Sequence, residues 1–307
     1  MSDGKTETKC RICGGRGVPY GSTLILNRYR VNYSLCQKCG YLQTETPYWL
    51  EEAYAAPIVN SDVGIVQRNL QLAMAVQALI FGLPGDILPR PLPLFCFKLL
   101  EKLKASRVLH RLLGRYLALI KPPQIGPCLD YGGGYGLMVR LLRDAGIEAY
   151  WQDPHSPNLF ARGFEREKAG CVRFQLVTAF EVWEHLAEPF SQLEAMFALG
   201  ENLLCSTLLL SDPPERPGEW WYFSPETGQH VGFFSAATFR YLAERLNMYY
   251  LCLDRSLHLF TRRVPQLGLV KYLYQRRQVV VHAAEYAMLM PSLIDRDYQA
   301  ISSRPLV

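Results

Sequence analysis

The segment Asp130-Tyr-Gly132-Gly133-Gly134-Tyr-Gly136 follows an apolar run, Ile125–Asp130, and opens a helical pattern, Gly136–Ala145, that Gly146 stops. A glycine-rich turn between a buried strand and a helix lets the backbone approach a ligand at the carboxyl end of a parallel strand. That commits the surrounding chain to an α/β sheet. Spacing then separates the ligands. A dinucleotide fingerprint needs G-x-G-x-x-G/A, but the sixth place is Leu137 counted from Gly132 and Val139 counted from Gly134. A P-loop needs Gly-Lys-Ser/Thr, which this segment lacks. What stands is D-x-G-x-G-x-G with the acid on the strand end. A carboxylate there repels phosphate and suits a cationic, phosphate-free ligand carrying an ammonium group. Asp153 follows the next apolar run, Ile147–Gln152, at a place where an acid can accept both hydroxyls of a ribose.

Around this loop, strand-like and helix-like stretches alternate. Phe174–Phe180 and Leu203–Leu210 read as strands with an amphipathic Pro189–Leu199 helix between them. Ala236–Leu246 reads as a helix, and Met248–Leu253 with Leu257–Thr261 as a final strand pair. The reading divides the chain into 1–46, a helical segment 47–122, the sheet domain 123–262 and a helical tail 263–307. Within 47–122, Val63–Phe81 and Phe95–Ile120 carry the helical pattern, the second with Lys98, Lys102, Lys104, Arg107, Arg111 and Arg115 interleaved among leucines.

The amino-terminal part announces itself by cysteine. Cys10-Arg-Ile-Cys13-Gly14 and Cys36-Gln-Lys-Cys39-Gly40 are matched C-x2-C pairs twenty-two residues apart, each followed by glycine. Two such turns offer four sulfurs at tetrahedral zinc geometry, with Ser22–Asn32 between them as a strand pair. A module this short buries little core, so the metal contributes directly to its folding. The other five cysteines, Cys96, Cys128, Cys171, Cys205 and Cys252, sit in apolar surroundings and read as buried hydrophobes. Metal or packing roles outrank disulfides here, because the first nine residues contain no apolar h-region and a cytoplasmic location is expected. The longest apolar stretches, Leu70–Leu83 and Leu92–Leu100, are both interrupted and fall short of a membrane span.

Taken with the glycine loop, these stretches resemble the class I S-adenosylmethionine-dependent methyltransferases. They are most similar to bacterial members with an amino-terminal zinc-binding segment, associated with surface polysaccharide or sugar biosynthesis. The resemblance is carried by Leu35–Gln43, Leu129–Gly136, Asn158–Glu165, Val177–His185 and Glu219–Ser235. It implies a Rossmann-like, seven-stranded α/β sheet with a zinc ribbon and helical additions. It implies S-adenosylmethionine contacts from Asp130, Gly132, Gly134, Gly136, Asp153 and Thr178, with zinc on Cys10, Cys13, Cys36 and Cys39.

Methyl transfer is an in-line displacement from a sulfonium, and a hydroxyl or acidic carbon acceptor needs a base as well. His230, in Gly228-Gln229-His230 after an aromatic, proline-containing loop, is the first candidate; His185, in Glu181-Val-Trp-Glu184-His185, is the alternative. Glu181 and Glu184 are placed to orient a histidine or to hold substrate hydroxyls. Trp220, Trp221, Tyr222 and Gln229 are candidates to hold the acceptor, while His258 falls within a strand pattern and reads as core. The leading expectation is O- or C-methylation of a small molecule, a sugar or glycan precursor. Two alternatives stay open. Of the net charge of +5, +4 lies in residues 1–46, which suits an RNA methyltransferase holding RNA on its zinc module. Thr178-Ala-Phe-Glu181 stands where amine-methylating nucleic-acid enzymes carry Asn/Asp-Pro-Pro-Tyr. The other alternative is a non-catalytic scaffold that binds S-adenosylmethionine.

Overall fold

Leu26 and Asn27 both take a left-handed backbone, with φ of 53° at each, and the Arg28 N–H returns to the Ile25 carbonyl at 3.0 Å. Two consecutive positive φ values turn the chain with the twist of antiparallel strands. In this computed structural model they join Arg16–Ile25 (β2) to Tyr29–Cys36 (β3), paired from Ile25↔Tyr29 to Gly17↔Cys36. The structure describes residues 8–55, 63–83, 126–286 and 290–302. The chain divides into two units: Met1–Ser61 with Ala179–Leu199 and Leu203–Arg262, and Asp62–Thr178 with Gly200–Asn202 and Arg263–Val307.

In the first unit, Thr8–Lys9 (β1), Leu42–Thr44 (β4) and Gly232–Phe233 (β9) complete an antiparallel sheet in the order β1-β2-β3-β4-β9. The late strand β9 pairs Phe233 with Leu42 and Gly232 with Gln43. Gly232 is required there, because an added Cβ would stand 1.9 Å from the Tyr41 hydroxyl. Ile25, Val31, Tyr33, Leu42, Trp49 and Phe223 form the apolar face beneath. A second buried group centres on Trp183, stacked on Phe260 and edge-on to Phe197 and Phe239. Ser235 and Thr238 cap the helix Ala236–Arg245 reciprocally, and the Thr238 hydroxyl donates to the Cys39 carbonyl at 2.9 Å.

Cys128–Tyr131 (β5), Ala149–Gln152 (β6), Phe174–Phe180 (β7), Gly200–Ser206 (β8), Tyr249–Cys252 (β10) and Leu257–Thr261 (β11) make the other sheet, in the order β10-β11-β8-β7-β5-β6. Strand β5 runs parallel to both β6 and β7. The resemblance implies seven strands; among the described residues this sheet has six, each overlapping a strand read from the pattern. After β6 the chain touches it through the bridge Trp151↔Glu165. Gly163 and Gly170 in that stretch hold φ of 90° and 64°, which extended strands do not tolerate.

In the second unit the helix Ile65–Leu79 packs on Leu137–Asp144 and Arg277–Tyr286. The helix Ile294–Ser302 sends the buried Asp297 to Arg143, which donates twice, at 2.8 and 2.7 Å. Phe95–Ile120 and its basic residues lie outside the described residues. Cys128 and Cys205 are buried as read, whereas Cys171 is half-buried and Cys252 is exposed. The correction at Cys252 follows from its place as the last residue of β10, the edge strand of the sheet, where the chain leaves for a bend at Asp254. No helix among the described residues is long and apolar enough to cross a membrane.

Candidate functional site

In the second unit β5 ends at Tyr131 and the chain enters the glycine loop through the Gly132 N–H, which bonds the Gln152 carbonyl at 2.8 Å. Gly132, Gly134 and Gly136 hold φ of 68°, 51° and 87°, a region costly to residues with a Cβ. A Cβ at Gly136 would also stand 2.9 Å from that of Ala161. At Gly134 it would meet nothing within 4 Å, so the loop opens onto free space there. Gly134 is held from both sides: its N–H bonds Asp153 Oδ2 at 2.8 Å, and its carbonyl accepts from the Trp151 indole at 2.8 Å. Sequence reasoning passed over Trp151, although it lies two residues before Asp153, on the same face of an extended chain.

Asp153 itself is more committed than expected. Oδ1 accepts from the His155 and Ser156 N–H groups at 2.7 and 2.9 Å, so the carboxylate braces the loop with three backbone bonds. A carboxylate offers about four acceptor positions, leaving capacity for roughly one further donor. Asp130 is 3% exposed and accepts from the Thr178 hydroxyl at 2.7 Å. Burial lifts its carboxyl from 3.8 to about 7, against the Thr178 bond and with help from the Asp153 charge. Because the folded value lies above the unfolded one, the unfolded chain releases this proton first, and Asp130 lowers stability as pH rises from about 4 to about 7. Asp130→Asn is therefore expected to gain stability over the wild type between about pH 5 and about pH 8. Urea unfolding of both proteins at the two pH values checks this, and a difference that does not grow with pH contradicts it.

In the first unit the residue that follows β7, Glu181, is a non-glycine residue with φ of 53°. Ser206 holds that strained backbone, accepting from its N–H at 2.9 Å and donating to its carboxylate at 2.6 Å. The buried Trp183 then fixes the turn that presents Glu184 and His185. Glu184 is fully buried, and its Oε1 accepts from the Tyr222 hydroxyl at 2.5 Å. His230 Nδ1 lies 2.6 Å from the Tyr222 carbonyl. A carbonyl only accepts, so Nδ1 carries the proton and Nε2 keeps the lone pair. The rings of His185 and His230 stand perpendicular, 4.8 Å between centroids. Burial holds both below the usual histidine range. His230 lowers His185 further, while the Tyr222 carbonyl draws His230 part of the way back.

The acceptor candidates separate. Gln229 spends its amide on the Ala53 carbonyl at 2.9 Å, and the Tyr222 hydroxyl serves Glu184 and Thr207. Trp221 stands 74% exposed, and Trp220 lies against Tyr222 at 4.9 Å between centroids. His258 is buried, between Thr207 and Tyr250.

Also in the first unit, the sulfurs of Cys10, Cys13, Cys36 and Cys39 lie within 4.8 Å of one another. Cys10 and Cys39 are 3.6 Å apart, and Cys13 and Cys36 3.4 Å. The Ile12, Gly15 and Cys39 N–H groups point at three of the sulfurs, the arrangement that supports thiolate charge. The hydrogen bond from Cys39 lowers the Cys10 thiol, the same bond raises Cys39, and burial raises Cys13. Four convergent, unbridged sulfurs with N–H support fit a tetrahedral zinc ion. Arg11, between the first two cysteines, donates to the carbonyls of Ala187, Thr44 and Val231.

A family model described as a methyltransferase domain matches residues 100–253, about half of the chain. No curated protein sequence matches. Among solved structures, the chain is similar to the magnesium protoporphyrin IX methyltransferase of Synechocystis PCC 6803 with bound SAH. The identity is 12%, over 71% of this chain and 96% of that one, with a TM-score of 0.35. It is also similar to the mitomycin 7-O-methyltransferase MmcR, at 15% identity over 55% and 60% of the two chains, TM-score 0.33. A third is the 1,6-didemethyltoxoflavin-N1-methyltransferase of Burkholderia thailandensis, at 16% identity over 58% and 92%, TM-score 0.31.

Proposed function

Because the chain belongs to the methyltransferase domain family and is by that membership an S-adenosylmethionine-dependent methyltransferase, we propose that it methylates an oxygen or carbon of a small acceptor, a sugar or glycan precursor. The observation that carries the cofactor assignment is the open face of Gly134 beside a buried acid, a cradle without phosphate-binding chemistry. Gly132, Gly134 and Gly136 let backbone approach the ligand, Asp130 and Asp153 supply carboxylates beside it, and Thr178 holds Asp130 from behind. S-adenosylmethionine, when bound, supplies a methyl group made electrophilic by its sulfonium. Asp130 gives up its proton when a cationic ligand arrives, because a nearby positive charge favours the ionised carboxyl.

Acceptor chemistry falls to the histidine pair. His230 Nε2 carries the lone pair that takes the acceptor's proton, and the Tyr222 carbonyl holds that tautomer in place. His185 sets the ring's surroundings, and Glu181 adds a negative charge that favours the protonated imidazole. Trp220 and Trp221 supply aromatic surface for a sugar ring. The four amino-terminal cysteines hold zinc as a structural ion, and the chain works in the cytoplasm.

The test is methyl transfer to nucleotide sugars, glycan fragments and RNA, with mass detection of the product. His230→Ala is expected to bind cofactor normally and to lose about 10²- to 10⁴-fold in turnover. Wild-type turnover removes His230 as the base, and product on RNA alone moves the acceptor to nucleic acid.

A further inference from the structure

Two histidine nitrogens and a carboxylate converge in the first unit, each oriented by a bond on its far side. One ligand atom each from Glu184, His185 and His230 lies within 4.8 Å of the other two. The His230 ring is held at Nδ1 by the Tyr222 carbonyl, which leaves Nε2 as its ligating atom. The His185 ring bonds the Gln229 backbone, and its Nδ1 has no hydrogen-bond partner among the described residues while being shut off from solvent. Glu184 Oε1 accepts from the Tyr222 hydroxyl, which Thr207 and the Leu208 N–H also hold. Metal-bound imidazoles characteristically direct the other ring nitrogen to a carbonyl or carboxylate, which fixes ring and tautomer. Here both rings and the carboxylate already have such partners.

We propose that Glu184, His185 and His230 form a second metal site, separate from the four cysteines, for a divalent first-row transition ion. Two imidazoles and one carboxylate suit zinc, cobalt, nickel or ferrous iron, and three protein ligands leave positions open to water or an acceptor oxygen. Bonds of about 2.0–2.2 Å to one ion require ligand atoms roughly 3–4 Å apart, so the longest separation closes by roughly 1–2 Å on binding. Burial of Glu184 and of His185 Nδ1 keeps these two ligand atoms from being hydrated in the ion's absence. The site does not depend on the methyl-transfer reading, since an ion binds these ligands whatever reaction the protein performs. Its consequence for that reading is competition: an ion on His230 Nε2 takes the lone pair that proton removal uses.

The experiment is cobalt(II) titration of the full, tag-free chain with zinc retained at the cysteines. One further equivalent is expected, with weak visible bands of a nitrogen and oxygen site and no thiolate charge-transfer band. Glu184→Gln and His185→Gln are each expected to weaken that equivalent by at least about 10-fold, while the zinc held by the four cysteines stays unchanged. Proton NMR of the wild-type cobalt form is expected to show hyperfine-shifted, exchangeable ring N–H signals from two histidines, which holds whether or not the variants fold. Absence of a further equivalent, an equivalent indifferent to both substitutions, or the absence of shifted imidazole N–H signals overturns the site.

Discussion

Cys36→Ser is expected to release the metal from the four-cysteine site and to unfold the turns that surround it. Cys36 ends β3 opposite Gly17, and Cys39 follows three residues later, before β4. Without the ion, three buried cysteines and the half-buried Cys13 face one another, and only a few apolar side chains such as Ile12 hold the two turns closed. A structural zinc supplies roughly 10–16 kcal/mol in zinc-finger peptides, which have almost no other core. This sheet has one, in Ile25, Val31, Tyr33, Leu42 and Trp49, so a part of that sum is at stake. The expected result is loss of one zinc by elemental analysis and a lower thermal midpoint, reproduced in the wild type by a strong chelator. Zinc removed without any change in unfolding contradicts a structural role.

Asp297→Ala is expected to cost about 3–5 kcal/mol of stability, because it leaves a buried guanidinium without its counter-charge. Arg143 is 2% exposed, donates to both Asp297 oxygens and to the Ala149 carbonyl, and lies 3.6 Å from the centre of the Phe164 ring. Arg140 adds a third bond to the same carboxylate at 3.0 Å. Burial alone raises the Asp297 carboxyl, but the bonds and charges of Arg143 and Arg140 outweigh it and hold the group below 3.8. A depressed value means that this stability is present above the unfolded pKa and is lost as pH falls through the folded one. Replacing both partners, Arg143→Met with Asp297→Leu, is expected to recover most of the loss, since it removes the buried charge along with its partner. Urea unfolding of the single and double variants decides it. A loss below about 1 kcal/mol in the single variant shows the pair to be dispensable. Arg143 lies in the helix that begins directly after Gly136, so Asp297→Ala also loosens the support of the glycine loop.

Much of this molecule is legible in its sequence, for specific reasons. Glycines with positive φ and cysteines in tight pairs leave local traces, because the chain needs particular residue types within a few positions. The loop Asp130–Gly136 and the cysteine quartet are of that kind. Partnerships across long separations leave no such trace. Glu184 and Tyr222 are 38 residues apart, and Arg143 and Asp297 are 154 apart. Neither spacing has a local signature. The commitment of Tyr222 and Gln229 to internal hydrogen bonds was hidden for the same reason, since an aromatic loop reads alike whether it meets a ligand or a core. The six strand patterns read from the sequence match the six strands of the larger sheet; only the seventh, implied by the resemblance, has no counterpart among the described residues.

Thermal unfolding with and without S-adenosylmethionine tests the central claim most directly. Cofactor at about 100 times its Kd is expected to stabilise the wild type by roughly 2.7 kcal/mol through mass action. Asp153→Ala, which removes three backbone bonds from the loop, is expected to shift far less at the same concentration. No shift at millimolar cofactor, or an equal shift in Asp153→Ala, contradicts the assignment of the glycine loop as the cofactor site.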